Sequence, residues 1–204
     1  IKYKDIGEIY QNKFENAAIH TIIISKESHP DIRFEIFERL NTGAVRLNDQ
    51  ELRNCIYRGA YNRLLQELSQ FQDFQILLGL NDPDKRMRDR EMILRFFAFH
   101  RATHLNYKPP MKRFLNNEMD KHRDLSDEEV CRMRDVFANT VELTKTVFGD
   151  KAFKRFLSGS SSYPDGWWEG RVNKALFDIV MFGFVRYEKH QIVPNSDAIR
   201  EELI

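Results

Sequence analysis

The chain has 204 residues, 42% of them hydrophobic, and a formal net charge of +1. This length suits one domain, or slightly more, with enough apolar side chains for a substantial core. The near-neutral charge excludes a strong overall attraction to polyanions, and no apolar run approaches the roughly 18 residues typical of a membrane span. No signal peptide is visible, and the distant cysteines Cys55 and Cys131 indicate reduced thiols in a cytoplasmic protein with no membrane partner.

The front of the chain predicts a weak helix followed by a strand. Within residues 5–18, four apolar residues recur at helical spacing: Ile6, Ile9, Tyr10 and Phe14. Residues 19–25, Ile-His-Thr-Ile-Ile-Ile-Ser, are β-branched and bounded by polar residues, which is typical of a short buried strand. Because one strand is not a sheet, its partners are expected upstream of Ile1, and the chain is interpreted as a fragment of a longer protein.

From residue 29 onward the signals are helical. Pro30 suits the first turn of a helix, and Gly43 is typical of its end. The predicted apolar stripe of this helix consists of Ile32, Ile36, Phe37 and Leu40. Asn48 followed by Glu51 predicts a capping box at the start of the next helix. The inward-facing residues of that helix are predicted to be Leu52, Cys55 and Ile56.

The rest of the chain repeats such start and stop signals. Helices are predicted over residues 61–68, about 85–103, from Pro110, from Ser126, over 175–185 and after Pro194. Ser126 with Glu129 predicts a second capping box, and the Ser- and Gly-rich residues 158–166 predict a mobile loop or inner linker. The apolar run at 175–185 predicts a central helix buried on most sides. The predicted fold class is mainly α, a helical bundle with one strand left from a truncated N-terminal α/β lobe.

The loop between the helix predicted from Pro30 and the helix predicted from Asn48 is a candidate phosphate site. Its candidate residues are Asn41, Thr42, Gly43 and Arg46. Backbone N–H groups beside a glycine can bind an anion, and an arginine can form charge-assisted bonds to phosphate. The asparagine could reach a phosphate oxygen or a metal-bound water, and the flanking Glu38 and Glu51 could serve Mg²⁺. The alternative is an ordinary helix stop followed by a surface arginine.

A second candidate site is electrostatic. Residues 84–113 hold nine Lys or Arg against three acids, a local charge of +6 in a chain of +1. Such a separated patch can attract nucleic acid. The candidate DNA-facing residues are Arg86, Arg88, Arg90, Arg101, Lys112 and Arg113. The alternative is structural, because Phe96 and Phe97 sit among apolar neighbours and Arg95 follows Glu91 at favourable helical spacing.

The segment FEIFERLNTGAVRLNDQELRN at residues 34–54 resembles a family signature, F-x-R-I/L-N-S/T-G followed by L-x-x-x-E-L/I. That signature is typical of domain-of-unknown-function family 262, which includes the N-terminal domain of GmrSD-type modification-dependent restriction enzymes. The matching residues are Phe37, Arg39, Leu40, Asn41, Thr42, Gly43, Leu47, Glu51 and Leu52. Residues 86–99, 148–153 and 171–180 also resemble the helical part of that family, so the similarity spans most of the chain.

The resemblance implies a lobe similar to ParB and sulfiredoxin, followed by a helical region, in bacterial proteins that act against phage and foreign DNA beside an HNH-type nuclease domain. It also implies that the front lobe binds and hydrolyses a nucleoside triphosphate with Mg²⁺ through a D-G-Q-Q-R motif. Neither that motif nor an H-N-H signature occurs in this chain. Residues 1–28 would then be the tail of a truncated ParB-like lobe and residues 29–204 the helical domain, inactive on its own.

Two functional hypotheses follow from the sequence. In the first, the chain is the helical part of a nucleotide-dependent DNA-defence protein, in which the Asn-Thr-Gly loop closes one wall of a nucleotide site. The basic stretch then faces DNA or a nuclease partner, and no catalytic residue or resident metal site is assigned to the chain itself. In the second, the chain is a non-enzymatic helical adaptor whose basic face binds an acidic protein.

Overall fold

The structure is a computed structural model that describes residues 2–21, 23, 30–41, 46–102, 104–159 and 164–203. The α-helices are α1 (Glu8–Glu15), α2 (Pro30–Leu40), α3 (Asp49–Ile56), α4 (Ala60–Leu68), α5 (Gln72–Leu78), α6 (Arg88–Ala102), α7 (Met111–Lys121), α8 (Asp127–Phe148), α9 (Lys174–Phe184), α10 (Lys189–Ile192) and α11 (Ser196–Leu203). Short 3-10 helices lie at Tyr3–Asp5, His104–Asn106, Gly149–Lys151 and Val193–Asn195. The predicted mainly α fold is confirmed. None of the helices in the described ranges is both long and apolar enough to cross a bilayer.

The helix starts agree with the predicted capping boxes. The Asn48 side-chain oxygen accepts hydrogen bonds from the backbone N–H groups of Gln50 and Glu51, both at 2.9 Å, at the start of α3. Ser126 and Glu129 form the same reciprocal arrangement at the start of α8. Each box satisfies N–H groups that have no partner within the helix, which is worth about 1 kcal/mol per cap.

The predicted strand at residues 19–25 is wrong for the part that the structure describes. Residues 19–21 and 23 are not in a β-strand, and Ile19 and Ile23 are 85% and 92% exposed. β-branched residues form a stable strand only where a neighbouring strand supplies hydrogen bonds and packing. Among the described residues, no strand pairs with this segment. The other residues of the predicted strand lie outside the described ranges, and the domain boundary at 28/29 stays a prediction.

A two-stranded hairpin that the sequence did not predict follows α8. Strand β1 (Phe156–Leu157) pairs antiparallel with β2 (Trp167–Trp168). An ion pair of 2.6 Å between Arg155 and Glu169 extends the pairing by one position. The Ser- and Gly-rich stretch at 158–166, predicted as a mobile loop or linker, therefore connects two paired strands, and its middle lies outside the described residues.

The predicted apolar stripe of α2 does not face the core. Phe34 is buried with 2% of its surface exposed, and the Lys112 ammonium group lies 4.8 Å from the centre of its ring. Three of the four predicted stripe residues are instead exposed, Ile32 at 52%, Phe37 at 41% and Leu40 at 52%, while Ile36 is partly buried. Helix α2 packs against α3 through a different face, because periodicity alone does not say which apolar residue meets the neighbouring helix. Cys55 of α3, predicted to face inward, is also exposed.

The core is organised around α6 and α8. Helix α6 packs against α4, α7 and α9, and α8 packs against α4, α5, α9 and α11. These helices contribute many of the buried aromatic side chains, among them Tyr61, Phe74, Phe96, Phe97, Phe137 and Phe177. Helix α9 was predicted to be buried on most sides, but Ile179 is 63% exposed, so α9 turns one face to the core.

Two ion pairs fix the direction of α6 relative to α9. Lys174 pairs with Glu91 at 2.7 Å, and Arg95 donates from Nε to Asp178 at 3.0 Å. From the first pair to the second, the chain advances four residues on both helices. The two helices therefore run parallel, and their N-termini lie at the same end of the bundle. Arg95 is structural, as the alternative interpretation of the basic stretch predicts, but its direct partner is Asp178 rather than Glu91.

Candidate functional site

The predicted phosphate loop is closed at its base by one side chain. The Asn41 amide nitrogen donates to the Leu47 carbonyl at 2.9 Å, and its amide oxygen accepts from the Leu47 N–H at 3.0 Å. This reciprocal pair ties the end of α2 to the residue before the α3 cap. Asn41 was predicted to reach a phosphate oxygen or a metal-bound water, whereas in the structure both ends of its amide hold the loop.

A second anchor comes from the segment before α6. Arg86 donates from Nη2 to the Arg46 carbonyl at 2.7 Å and pairs with the Glu51 carboxylate at 3.1 Å. In return, the Asn48 amide nitrogen donates to the Arg86 carbonyl at 2.7 Å. The loop is thus fixed to a segment about 40 residues further along the chain. Arg46 is exposed, and Thr42 and Gly43 lie outside the described residues.

The two carboxylates predicted to serve Mg²⁺ are bound to protein groups. Glu38 accepts from the Lys112 ammonium at 2.6 Å. Glu51 accepts from the Asn48 backbone N–H at 2.7 Å within the capping box and also pairs with Arg86. No group of three or more possible metal ligands occurs among the described residues. The Mg²⁺ prediction therefore has no ready ligand set in the described part of the loop, and it stays a prediction.

The candidate DNA-facing side chains divide into exposed and packed groups. Arg88 and Arg113 are exposed, and Arg88 pairs with Asp84 at 2.7 Å. The side chains of Arg86, Arg90, Arg101 and Lys112 are partly buried and contact other protein groups. The aromatic residues interleaved with them, Phe96 and Phe97, are buried. The stretch is therefore used largely for packing, and the DNA contact stays a prediction that rests most directly on Arg88 and Arg113.

A buried titratable cluster that the sequence pattern did not reveal lies between α4, α6 and α7. Glu118 is 8% exposed and accepts a hydrogen bond of 3.1 Å from the Tyr61 hydroxyl. Arg101 lies 3.5 Å from Glu118, and its Nη1 is 2.9 Å from the His122 ring nitrogen. Burial raises the pKa of Glu118 to about 7, and Arg101 opposes this shift only in part. The i, i+4 spacing of Glu118 and His122 was visible in the sequence, but their partners come from distant segments.

The raised pKa of Glu118 predicts a stability that falls as the pH rises. The folded protein holds this proton more tightly than the unfolded chain, so the stabilisation is present below about pH 4.5 and is lost as the pH rises through about 7. A shift of this size corresponds to about 3 kcal/mol. In Glu118→Gln the side chain stays neutral, so the stability difference between wild type and variant should change by about 2.5 kcal/mol in favour of the variant from pH 5 to pH 8.

Urea unfolding at several pH values measures this difference. The exposed Glu128→Gln on α8 is the matched control, and its difference from wild type should stay nearly constant. A difference for Glu118→Gln that does not depend on pH would show that Glu118 is charged in the folded protein throughout this range.

Comparison of the chain with protein-family models, curated proteins and solved structures finds no significant match. The functional interpretation therefore depends on the residues and the geometry described above.

Proposed function

We propose that the chain is the helical part of a nucleotide-dependent DNA-defence protein and supplies one wall of a nucleoside triphosphate site. The construction of the loop between α2 and α3 carries the proposal. A helix that simply ends needs only a terminating residue, because water can form hydrogen bonds with its last carbonyl groups. Here the Asn41 amide closes the base of the loop, and Arg86 fixes its far end from another part of the fold.

Arg46 is the phosphate-binding candidate in this arrangement. Its carbonyl is held by Arg86, while its side chain is exposed on the loop. A fixed backbone beneath an exposed guanidinium lowers the entropy lost when the side chain orders on a phosphate. Asn41 is then a positioning residue, and the resemblance to the signature of family 262 supports the nucleoside triphosphate with Mg²⁺ as the ligand.

Nucleotide titration of the ¹⁵N-labelled chain tests this proposal. Mg–ATP and Mg–GTP should shift the backbone amide signals of residues 46–48, and Arg46→Ala should weaken binding about tenfold because a charge-assisted bond is lost. Arg63→Ala, an exposed arginine on α4, is the matched control and should bind as wild type does. Equal affinities for Arg46→Ala and wild type, or shifts confined to other parts of the chain, would overturn the proposal.

The second candidate function is a non-enzymatic helical adaptor. It is favoured by the exposed apolar face of α2 and by the number of basic side chains already engaged within the fold. DNA-binding titrations over a range of salt concentrations separate the two functions. Binding that prefers DNA to heparin and weakens steeply with salt supports the DNA-defence function. Absence of DNA binding, together with binding of a protein through an apolar surface that salt does not weaken, supports the adaptor.

A further inference from the structure

A cavity of about 660 Å³ lies where the end of α5, the start of α6 and the segment before α9 meet. Its volume falls within the roughly 300–1,000 Å³ typical of small-molecule sites. The apolar part of its lining consists of Leu78, Leu80, Met92 and Val172. The cavity lies outside the loop between α2 and α3, and none of the predicted phosphate-binding residues lines it.

Three cationic side chains line the same cavity: Arg88, Arg171 and Lys174. Arg88 is neutralised by Asp84 at 2.7 Å, and Lys174 is paired with Glu91 at 2.7 Å. Arg171 is exposed and forms no ion pair with a carboxylate in the described part of the chain, and the nearby Glu169, which interacts with it electrostatically, is itself paired with Arg155 at 2.6 Å. The guanidinium of Arg171 is therefore the group in the lining best able to bind an incoming anion with charge-assisted hydrogen bonds.

The acidic residues of the lining do not cancel the attraction of Arg171 for an anion. Asp84 is already paired with Arg88. Asp89 is 2% exposed and accepts hydrogen bonds from the backbone N–H groups of Asp84 at 2.9 Å and Arg90 at 2.7 Å. Burial also raises the pKa of Asp89 above its ordinary value, and the two backbone N–H groups oppose this shift. The parallel orientation of α6 and α9 places both N-termini at this end, which adds a modest positive potential.

We propose that this cavity binds a small organic anion, a phosphate or carboxylate carried on an apolar body. Arg171 binds the anionic group, and the apolar body lies against the side chains of Leu78, Leu80 and Met92. An anion without an apolar body leaves this surface uncovered, and a neutral apolar molecule leaves Arg171 without a partner. The site is independent of the proposed nucleotide wall, because no residue of the loop between α2 and α3 contributes to it.

Titration of the ¹⁵N-labelled chain with four probes tests the proposal. Phenyl phosphate and benzoate carry both features, inorganic phosphate carries only the charge, and benzyl alcohol carries only the apolar body. We expect the first two to shift the amide signals of residues 88–92 and 170–174 with dissociation constants on the order of 1 mM, as suits molecules of this size. The ratio of phenyl phosphate to benzoate affinity shows which anionic group the site prefers.

Two variants locate the binding. Arg171→Ala should weaken phenyl phosphate binding about tenfold and leave the weak binding of benzyl alcohol unchanged. Gly170→Leu should weaken binding of every probe by narrowing the cavity, and folding should be retained because a Cβ at Gly170 meets no atom within 4 Å. Arg63→Ala is the control. Phenyl phosphate affinity equal to wild type in either cavity variant, or benzyl alcohol bound as tightly as phenyl phosphate, would overturn the proposal.

Discussion

Phe137→Ala is expected to destabilise the fold by about 3–5 kcal/mol, the usual cost of removing a buried aromatic ring without replacing it. Phe137 lies on α8 with no exposed surface. Its ring centre is 5.1–6.2 Å from four other rings: Phe71, Phe74, Phe96 and Phe97. These contacts join α5, α6 and α8, so the resulting cavity would lie where several helices meet. The loss is a large fraction of the roughly 5–15 kcal/mol that stabilises a typical domain.

Urea unfolding monitored by circular dichroism measures the effect. Phe137→Leu is the matched control, since it keeps most of the apolar volume and should cost less than about 1.5 kcal/mol. A shift of the unfolding midpoint without a change of the denaturant slope would assign the loss to the folded core. A cost for Phe137→Ala no larger than that for Phe137→Leu would show that the core does not pack around α8 as described.

Arg53→Ala is expected to cost a similar amount for a different reason. The Arg53 guanidinium is 1% exposed and donates to the side-chain oxygens of Asn116 and Gln50, both at 2.9 Å. It also lies 3.4 Å from the Glu91 carboxylate. Removing one partner from a buried charged network leaves its acceptors unsatisfied, which typically costs 3–5 kcal/mol. The network joins α3 to α6 and α7, so α3 should lose its attachment first.

Two substitutions test whether the geometry of Arg53 matters. Arg53→Lys keeps the charge but cannot reproduce the planar set of donors, so it should recover only part of the loss. Arg63→Ala removes an exposed arginine from α4 and should change the stability by less than about 0.5 kcal/mol. Full stability of Arg53→Lys would mean that the charge alone, rather than the fork-shaped hydrogen bonding, holds α3 in place.

The sequence predicted most reliably the features that depend on neighbouring residues. Helix starts at Asn48 and Ser126 were predicted correctly because a capping box is formed within four residues. The helix predicted over residues 61–68 is also confirmed, since α4 spans Ala60–Leu68 and buries Leu64, Leu65 and Leu68. Each of these predictions depends on spacing along one helix, and no distant segment competes with it.

Features that depend on distant segments were not predictable in this way. The buried side chain of α2 is Phe34 rather than the predicted stripe, because the position of α3 and Lys112 decides which face is covered. The partner of Arg95 is Asp178, which lies 83 residues away. The strand predicted at residues 19–25 had suitable composition but no described partner, whereas the two-residue strands of the hairpin were too short to show an alternating pattern.

At the candidate site, too, the features that depend on neighbouring residues were predictable and those that depend on distant segments were not. The sequence identified the loop at residues 41–46 as unusual, and the structure shows that Asn41 and Arg86 fix its two ends. The contribution of Arg86 was predicted as contact with DNA, whereas in the structure its guanidinium binds the Arg46 carbonyl and the Glu51 carboxylate. Arg171 was not predicted as a site residue, because its proposed role in anion binding depends on a cavity formed by three separate segments.

The measurement that tests the central claim most directly is nucleotide affinity in Asn41→Ala, determined beside its thermal midpoint. The claim is that the Asn41 amide holds the loop in a shape suited to phosphate, so affinity for Mg–ATP or Mg–GTP should fall about as much as in Arg46→Ala. The midpoint should fall by only a few degrees, since about 1 kcal/mol of loop hydrogen bonding shifts a domain of this size by roughly 2–4 °C. Unchanged affinity with the same small loss of stability would contradict the claim and would show that the loop only ends a helix.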